Sequence, residues 1–205
     1  MSFRFKSFVL GATLVASLAA PSWSQELARE VVQEYFDQIT RSGMTVAPGP
    51  VVENGSVVEW KDVVIGLPEG AGSYALAFIR AEEMGGGKVK LTYPENVAFT
   101  VDPKGEQPKM DVALTMKGLS HVVSGSKGAR MHAYQADMIQ VGITGAGPGL
   151  SMTFSFADVV GDQTDSMVGS GDAAYAHYVA AFKAATMGIK YVIKDGPVNV
   201  SADMT

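Results

Sequence analysis

Three histidines, His121, His132 and His177, are the side chains of this 205-residue sequence best suited to move a proton or hold a metal near neutral pH. Two of them flank Ser124-Gly125-Ser126-Lys127-Gly128, whose glycines suit a hairpin turn. With the turn centred between Ser126 and Lys127, residues equidistant from that centre face each other, which sets His121 opposite His132. Such a pair is the start of a metal site, but zinc or copper wants further ligands. The chain has no Cys, and no carboxylate stands at matching spacing, so an ordinary cross-strand pair is the expectation. His177 stands alone and reads as a half-exposed residue.

Other chemistry-bearing patterns are weaker. Ser124-x-x-Lys127 has the spacing of a serine nucleophile beside its lysine, but that pairing needs a helix to bring both onto one face, and the glycines here mark a turn. Gly85-Gly86-Gly87-Lys88 and Gly145-Ala146-Gly147-Pro148-Gly149 lack the spacing of a phosphate-binding loop. Asp158, Asp162 and Asp165 lie close together without following an EF-hand loop, and read as a solvated acidic loop. The remaining signal is apolar. Eleven Met residues include Met116, Met131, Met138 and Met152 in the strand-like region, and Phe154 and Phe156 follow. Met fills irregular space and lines adaptable surfaces. On a sheet that curls without closing, these six residues would line a groove for acyl chains.

The elements that must position these residues change character along the chain. Arg4 and Lys6 precede the short apolar run Phe8–Ala20, Pro21 breaks it, and Ser22 and Ser24 suit cleavage before Gln25. Thirteen apolar residues are too few to span a membrane, which takes roughly 20, so residues 1–24 read as a cleaved export signal. The mature chain, 25–205, then reads as a single domain with no integral membrane segment. From Glu26 to about Ser42, Leu27, Val31, Val32, Tyr35, Phe36 and Ile39 recur at helical spacing opposite a polar face of Arg29, Glu30, Gln33, Glu34, Asp37 and Gln38. Gly43 is placed to end the helix.

After Met44 the period falls to two: Val89, Leu91 and Tyr93; Val97, Phe99 and Val101; Val112, Leu114 and Met116; Met152, Phe154 and Phe156; Val198, Val200, Ala202 and Met204. Turn signals lie between them at Glu53-Asn54-Gly55, Gly85–Gly87, Tyr93–Asn96, Asp102–Gly105, Ser124–Gly128, Gly145–Gly149 and Asp195-Gly196-Pro197. Tyr74–Met84 leans to strand, while Asp172–Met187, rich in alanine, suits helix and strand equally. The expected fold is mainly β (α+β): a curved antiparallel sheet or meander, with an N-terminal amphipathic helix packed on it as a lid.

Charge narrows the function classes. Loss of the leader leaves 14 basic residues against 21 acidic, a charge of −7, which disfavours nucleic acid as a partner. Without Cys there is no disulfide framework and no thiol nucleophile. No motif calls for a cofactor.

The stretch Leu114–Val141 resembles a group of alphaproteobacterial envelope proteins, the domain of unknown function 2125, through Gly118-Leu119, Val122-Val123-Ser124-Gly125, Tyr134 and Ala136-Asp137. The resemblance implies export and a mostly β architecture, and it brings no catalytic residues. The expected function is a non-catalytic periplasmic binding or scaffold protein of the bacterial envelope with an apolar or lipid-like ligand. The alternatives are a hydrolase of envelope polymers and an outer-membrane β-barrel.

Overall fold

A computed structural model describes residues 25–103, 108–145, 150–168, 175–193 and 199–204. It is a mostly β protein: one helix lies on an open, curved antiparallel sheet. The helix α1 spans Glu26–Arg41, with Glu26 in the first turn and Arg41 in the last, each complementing the helix dipole. Gly43, at φ +85°, turns the chain into the sheet.

The strands follow in order: β1 (Thr45–Ala47), β2 (Val51–Asn54), β3 (Val57–Gly66), β4 (Ser73–Gly85), β5 (Lys88–Thr92), β6 (Asn96–Val101), β7 (Met110–Lys117), β8 (Ser120–Ser126), β9 (Ala129–Thr144), β10 (Leu150–Val168), β11 (Tyr175–Lys183), β12 (Thr186–Ile193) and β13 (Asn199–Met204). Hydrogen-bonded order runs β1-β3-β4-β5-β8-β9-β10-β12-β13, with β2 on β3, β11 on β10, and the β6–β7 pair joined to β9. Two long strands organise this. β9 pairs with β8 over one half and with β7 over the other; β10 pairs with β11 and β12 in the same divided way.

The sheet bends where these partners change, and the bend leaves a signature in the side chains. Strict alternation reverses facing after an odd number of residues. Yet Met116 and Leu119 line one cavity, as do Tyr134 and Ile139, and Trp60 and Val63 are both buried. The alternation therefore resets, near Gly118 (φ +66°) and Asp137, and at Asp62 (φ +50°) in β3. In β10, Asp158 (φ +49°) marks the same reset and is skipped in the pairing with β9. The ladder keeps its register across Asp62 and Asp158, so no residue is inserted there; a left-handed residue, which Asp and Gly tolerate best, turns the strand instead. The sheet can thus curl while keeping its apolar side inward.

The apolar flank of α1 (Ala28, Val31, Val32, Phe36 and Ile39) packs with Val58, Trp60, Val63, Ile65, Ile79, Ala81, Val89 and Leu91 to form the core. Phe36 meets Trp60 edge to face, with ring centres 6.2 Å apart. Glu30, Glu34 and Gln38, expected to be solvated, instead face the far side of the sheet. Arg130 of β9, only 3% exposed, pairs with Glu30 and Glu34, the latter at 2.6 Å. Glu34 also accepts the backbone N–H of Gly128 at 3.1 Å. Gln38 donates to Asp165 of β10 at 2.7 Å.

Two further expectations change. Tyr93–Asn96 is no hairpin, because β5 pairs with β4 and β8 while β6 pairs with β7; Pro94, lacking an N–H, marks the crossing. In the β8–β9 hairpin, Ser126 pairs with Ala129, so His121 stands opposite Tyr134, and His132 opposite Val123. Asp172–Met187, which suited helix and strand equally, holds β11 and the start of β12 in its described part, since pairing with β10 decides where alanine's own preference is weak. The last signal, Asp195-Gly196-Pro197, lies outside the described residues.

Breaking the Arg130 bridge tests how the helix is held. Arg130→Ala leaves two partly exposed carboxylates without their cation and is expected to cost about 1–3 kcal/mol, read by urea unfolding. Arg130→Met with Glu30→Gln and Glu34→Gln removes every charge at once and is expected to cost clearly less, with α1 still protected in hydrogen exchange.

Candidate functional site

Between the helix and the strands that it does not cover lies a cavity of about 410 Å³. Its apolar walls are Leu76 of β4, Val97 and Phe99 of β6, Leu114 and Met116 of β7, Leu119 between β7 and β8, and Ile139 of β9. Its polar groups are four tyrosines and one histidine: Tyr35 from α1, Tyr74 from β4, Tyr93 just after β5, Tyr134 from β9 and His121 from β8. The rings form a chain of contacts. Tyr35 meets Tyr93 at 6.2 Å, Tyr93 stacks on His121 at 5.8 Å, His121 on Tyr134 at 4.3 Å, and Tyr74 packs on Phe99 at 5.1 Å.

One hydrogen-bonded line leaves this cavity and runs into the seam below α1. Tyr93 Oη lies 2.9 Å from His121 Nδ1, His121 Nε2 lies 2.9 Å from His132 Nδ1, and His132 Nε2 lies 3.0 Å from Asp165 Oδ2. Both oxygens of Asp165 also accept side-chain amides, from Gln38 at 2.7 Å and Gln163 at 2.6 Å. Acceptance at the Asp165 end assigns the protons on neutral rings. His132 donates from Nε2, so its Nδ1 accepts from His121 Nε2, and the bare His121 Nδ1 accepts the Tyr93 hydroxyl. The line thus ties the Tyr93 hydroxyl at the cavity wall, through two rings, to a buried carboxylate.

Burial sets the charge of this wall. Loss of water, reinforced by neighbouring His132, pushes His121 down to about 3, so it is neutral at physiological pH. Burial pushes Tyr35 and Tyr134 up to about 12, and raises Tyr74 and, further, Tyr93. All four phenols keep their protons.

His121 and His132 do share a side of the sheet, but as diagonal neighbours, and a carboxylate from the adjoining strand β10 joins them. Their nitrogens are spent on each other, on Tyr93 and on Asp165. Among the described residues no three His, Asp or Glu side chains converge as metal ligands. Asp165 is buried, whereas Asp158 and Asp162 are exposed, so these three form no common loop. Ser124 lies within β8, paired with Met131, and Lys127 stands exposed in the turn after the strand, without the helix that their spacing would need. His177 occupies β11 opposite Ser166, and its side chain lies outside the described residues.

Of the six proposed apolar ligand contacts, Met116 lines the cavity. Phe156 faces Ile139 across the β9–β10 ladder, Phe154 faces Val141, and Met152 faces Ile143, in rows that continue through Met116, Leu114 and Val112 of β7. These three half-exposed residues thus extend the cavity wall. Met131 and Met138 are on the other side: each is adjacent to an inward residue, His132 or Ile139, and Met131 is 56% exposed. The tyrosine cluster and the carboxylate end of the line were missed, because their members come from separate elements and share no spacing.

The neutral His121 carries a pH signature. Above its unfolded value of about 6.5 it is uncharged in both states. Between there and about 3 only the unfolded chain takes the proton, so stability falls as pH drops through that window. His121→Phe keeps a ring against Tyr134 but orphans Tyr93 Oη and His132 Nδ1, at about 1–3 kcal/mol each. The variant is expected to be weaker at about pH 8 yet to lose less between pH 8 and about 5, in urea titrations at both. Comparison of the chain with known protein families, with curated proteins and with solved structures finds no match.

Proposed function

We propose that this chain is a non-catalytic binding protein, exported through a cleaved leader, that holds an apolar, lipid-like ligand on the inner side of its sheet. The observation that carries the reading is the cavity itself. Its volume, about 410 Å³, falls inside the roughly 300–1,000 Å³ range of small-molecule sites, and most of its wall is hydrocarbon or aromatic. It also continues into open apolar surface. The rows Met116–Ile139–Phe156–Met187 and Leu114–Val141–Phe154–Ile189 give a long ligand somewhere to extend beyond the enclosed part. The apolar flank of α1 rests elsewhere, on the core strands.

Export and an envelope location belong to the same proposal. They rest on the pattern of residues 1–24 and on the resemblance through Gly118-Leu119, Tyr134 and Asp137.

Two measurements test it. Native mass spectrometry of protein released gently from its source is expected to show a co-purifying lipid, and pyrene-labelled acyl probes, charged and uncharged, are expected to bind. Neither signal would sink the ligand reading. Leu114→Trp, which places a larger ring in the cavity, is expected to cut probe binding at least about tenfold with thermal stability retained. For export, intact mass of the released protein is expected to begin at Gln25; a chain beginning at Met1 overturns it.

A further inference from the structure

The polar groups of the cavity are all of one electrical kind. Four phenols share it, and the charge of one would act on the others: Tyr35 is influenced by Tyr74 and Tyr134, and Tyr93 by Tyr35 and Tyr134. Only Tyr93 is hydrogen-bonded, to His121; the hydroxyls of Tyr35, Tyr74 and Tyr134 bond to no side chain or backbone group among the described residues. They remain as donors inside a mostly apolar wall. Among the described residues no Lys or Arg lines the cavity. The buried guanidinium of Arg130 is turned to Glu30, Glu34 and the carbonyl of Gly125. Behind the His121 wall sits the carboxylate of Asp165, whose charge reaches Tyr134.

We propose that this cavity selects lipids whose head is uncharged and carries an acceptor oxygen, such as an ester, ketone or alcohol, over fatty-acid or phosphate anions of the same chain length. The inference rests on the binding function proposed above and adds the class of head group. A neutral oxygen accepts from the free phenols and satisfies them. An anion would have to shed its water with no cation to receive it, and would face the field of Asp165, so desolvation outweighs the hydrogen bonds that it gains. His121, the one basic side chain among the described residues of the wall, is neutral and supplies no positive charge.

The test compares ligands that share an eighteen-carbon chain at about pH 8: oleyl alcohol, methyl oleate, oleate and the plain hydrocarbon octadecene, each delivered from cyclodextrin to the full mature chain and measured by equilibrium dialysis. Alcohol and ester are expected to bind at least about tenfold more tightly than oleate, and more tightly than octadecene. Oleate binding as well as the alcohol overturns the head-group inference and leaves the lipid-binding function standing; failure of all four overturns both. Equal binding of alcohol and octadecene also overturns it, since the head would then be unread. Tyr74→Phe combined with Tyr134→Phe keeps both rings and removes two donors. It is expected to bring the alcohol several-fold closer to octadecene while leaving octadecene unchanged, and unchanged alcohol binding would remove the phenols from the mechanism.

Discussion

Burial of Arg130 between the helix and the sheet fixes where α1 can lie. A guanidinium that is almost wholly out of water is tolerable only with opposite charge and acceptors around it, and Glu30, Glu34 and the Gly125 carbonyl supply them. Glu30, Glu34 and Gln38 are spaced four apart, so they form one stripe along the helix. That stripe must face β9 and β10. The apolar flank is then directed at β3, β4 and β5, and Tyr35, beside the charged stripe, is left at the cavity. A helix fixed by hydrophobic contact alone could roll; one pinned at Arg130 and Asp165 has a single register.

The sheet supplies the complementary constraint. A long sheet that curls keeps one side apolar where its alternation is reset, and Gly118 between β7 and β8, Asp62 in β3 and Asp158 in β10 hold the left-handed positions of those resets. At Gly118 the carboxylate of Asp137 lies where a Cβ would stand, so a larger residue there would also have to turn that side chain aside. The bend brings His121 and Tyr134 from one half of the sheet to the same hollow as Met116 and Ile139 from the other. The cavity is thus a product of the bend and of the helix register together.

Much of this was legible in the residues themselves. The helix showed through six apolar side chains at a period near 3.6, and the strands through alternation, because both periods follow from backbone geometry alone. The β8–β9 turn was visible in its glycines, but its centre was misplaced by one residue, which shifted the pairing by two. A shift of two preserves facing. His121 and His132 were therefore placed on one side correctly and opposite each other wrongly. Met131 and Met138 fared differently, since a reset inside β9 changes which side a residue takes and leaves only a faint mark in composition. The alanines of β11 stayed ambiguous because their own preference is weak and the partner strand decides.

By itself the sequence determined local periodicity, the one-sidedness of the strands, the amphipathic helix, the missing thiol chemistry and the acidic balance, all of which are properties of near neighbours or of the whole composition. Only the tertiary structure decided that Glu30 and Glu34 serve Arg130, that Asp165 ends a line begun at Tyr93, and that Tyr35, Tyr74, Tyr93 and Tyr134 surround one hollow. Those partners are far apart along the chain, 127 residues in the case of Gln38 and Asp165. Their meeting depends on strand order and on the direction of the bend. Neither has a periodic trace in sequence, because each is set by the summed packing of the whole sheet.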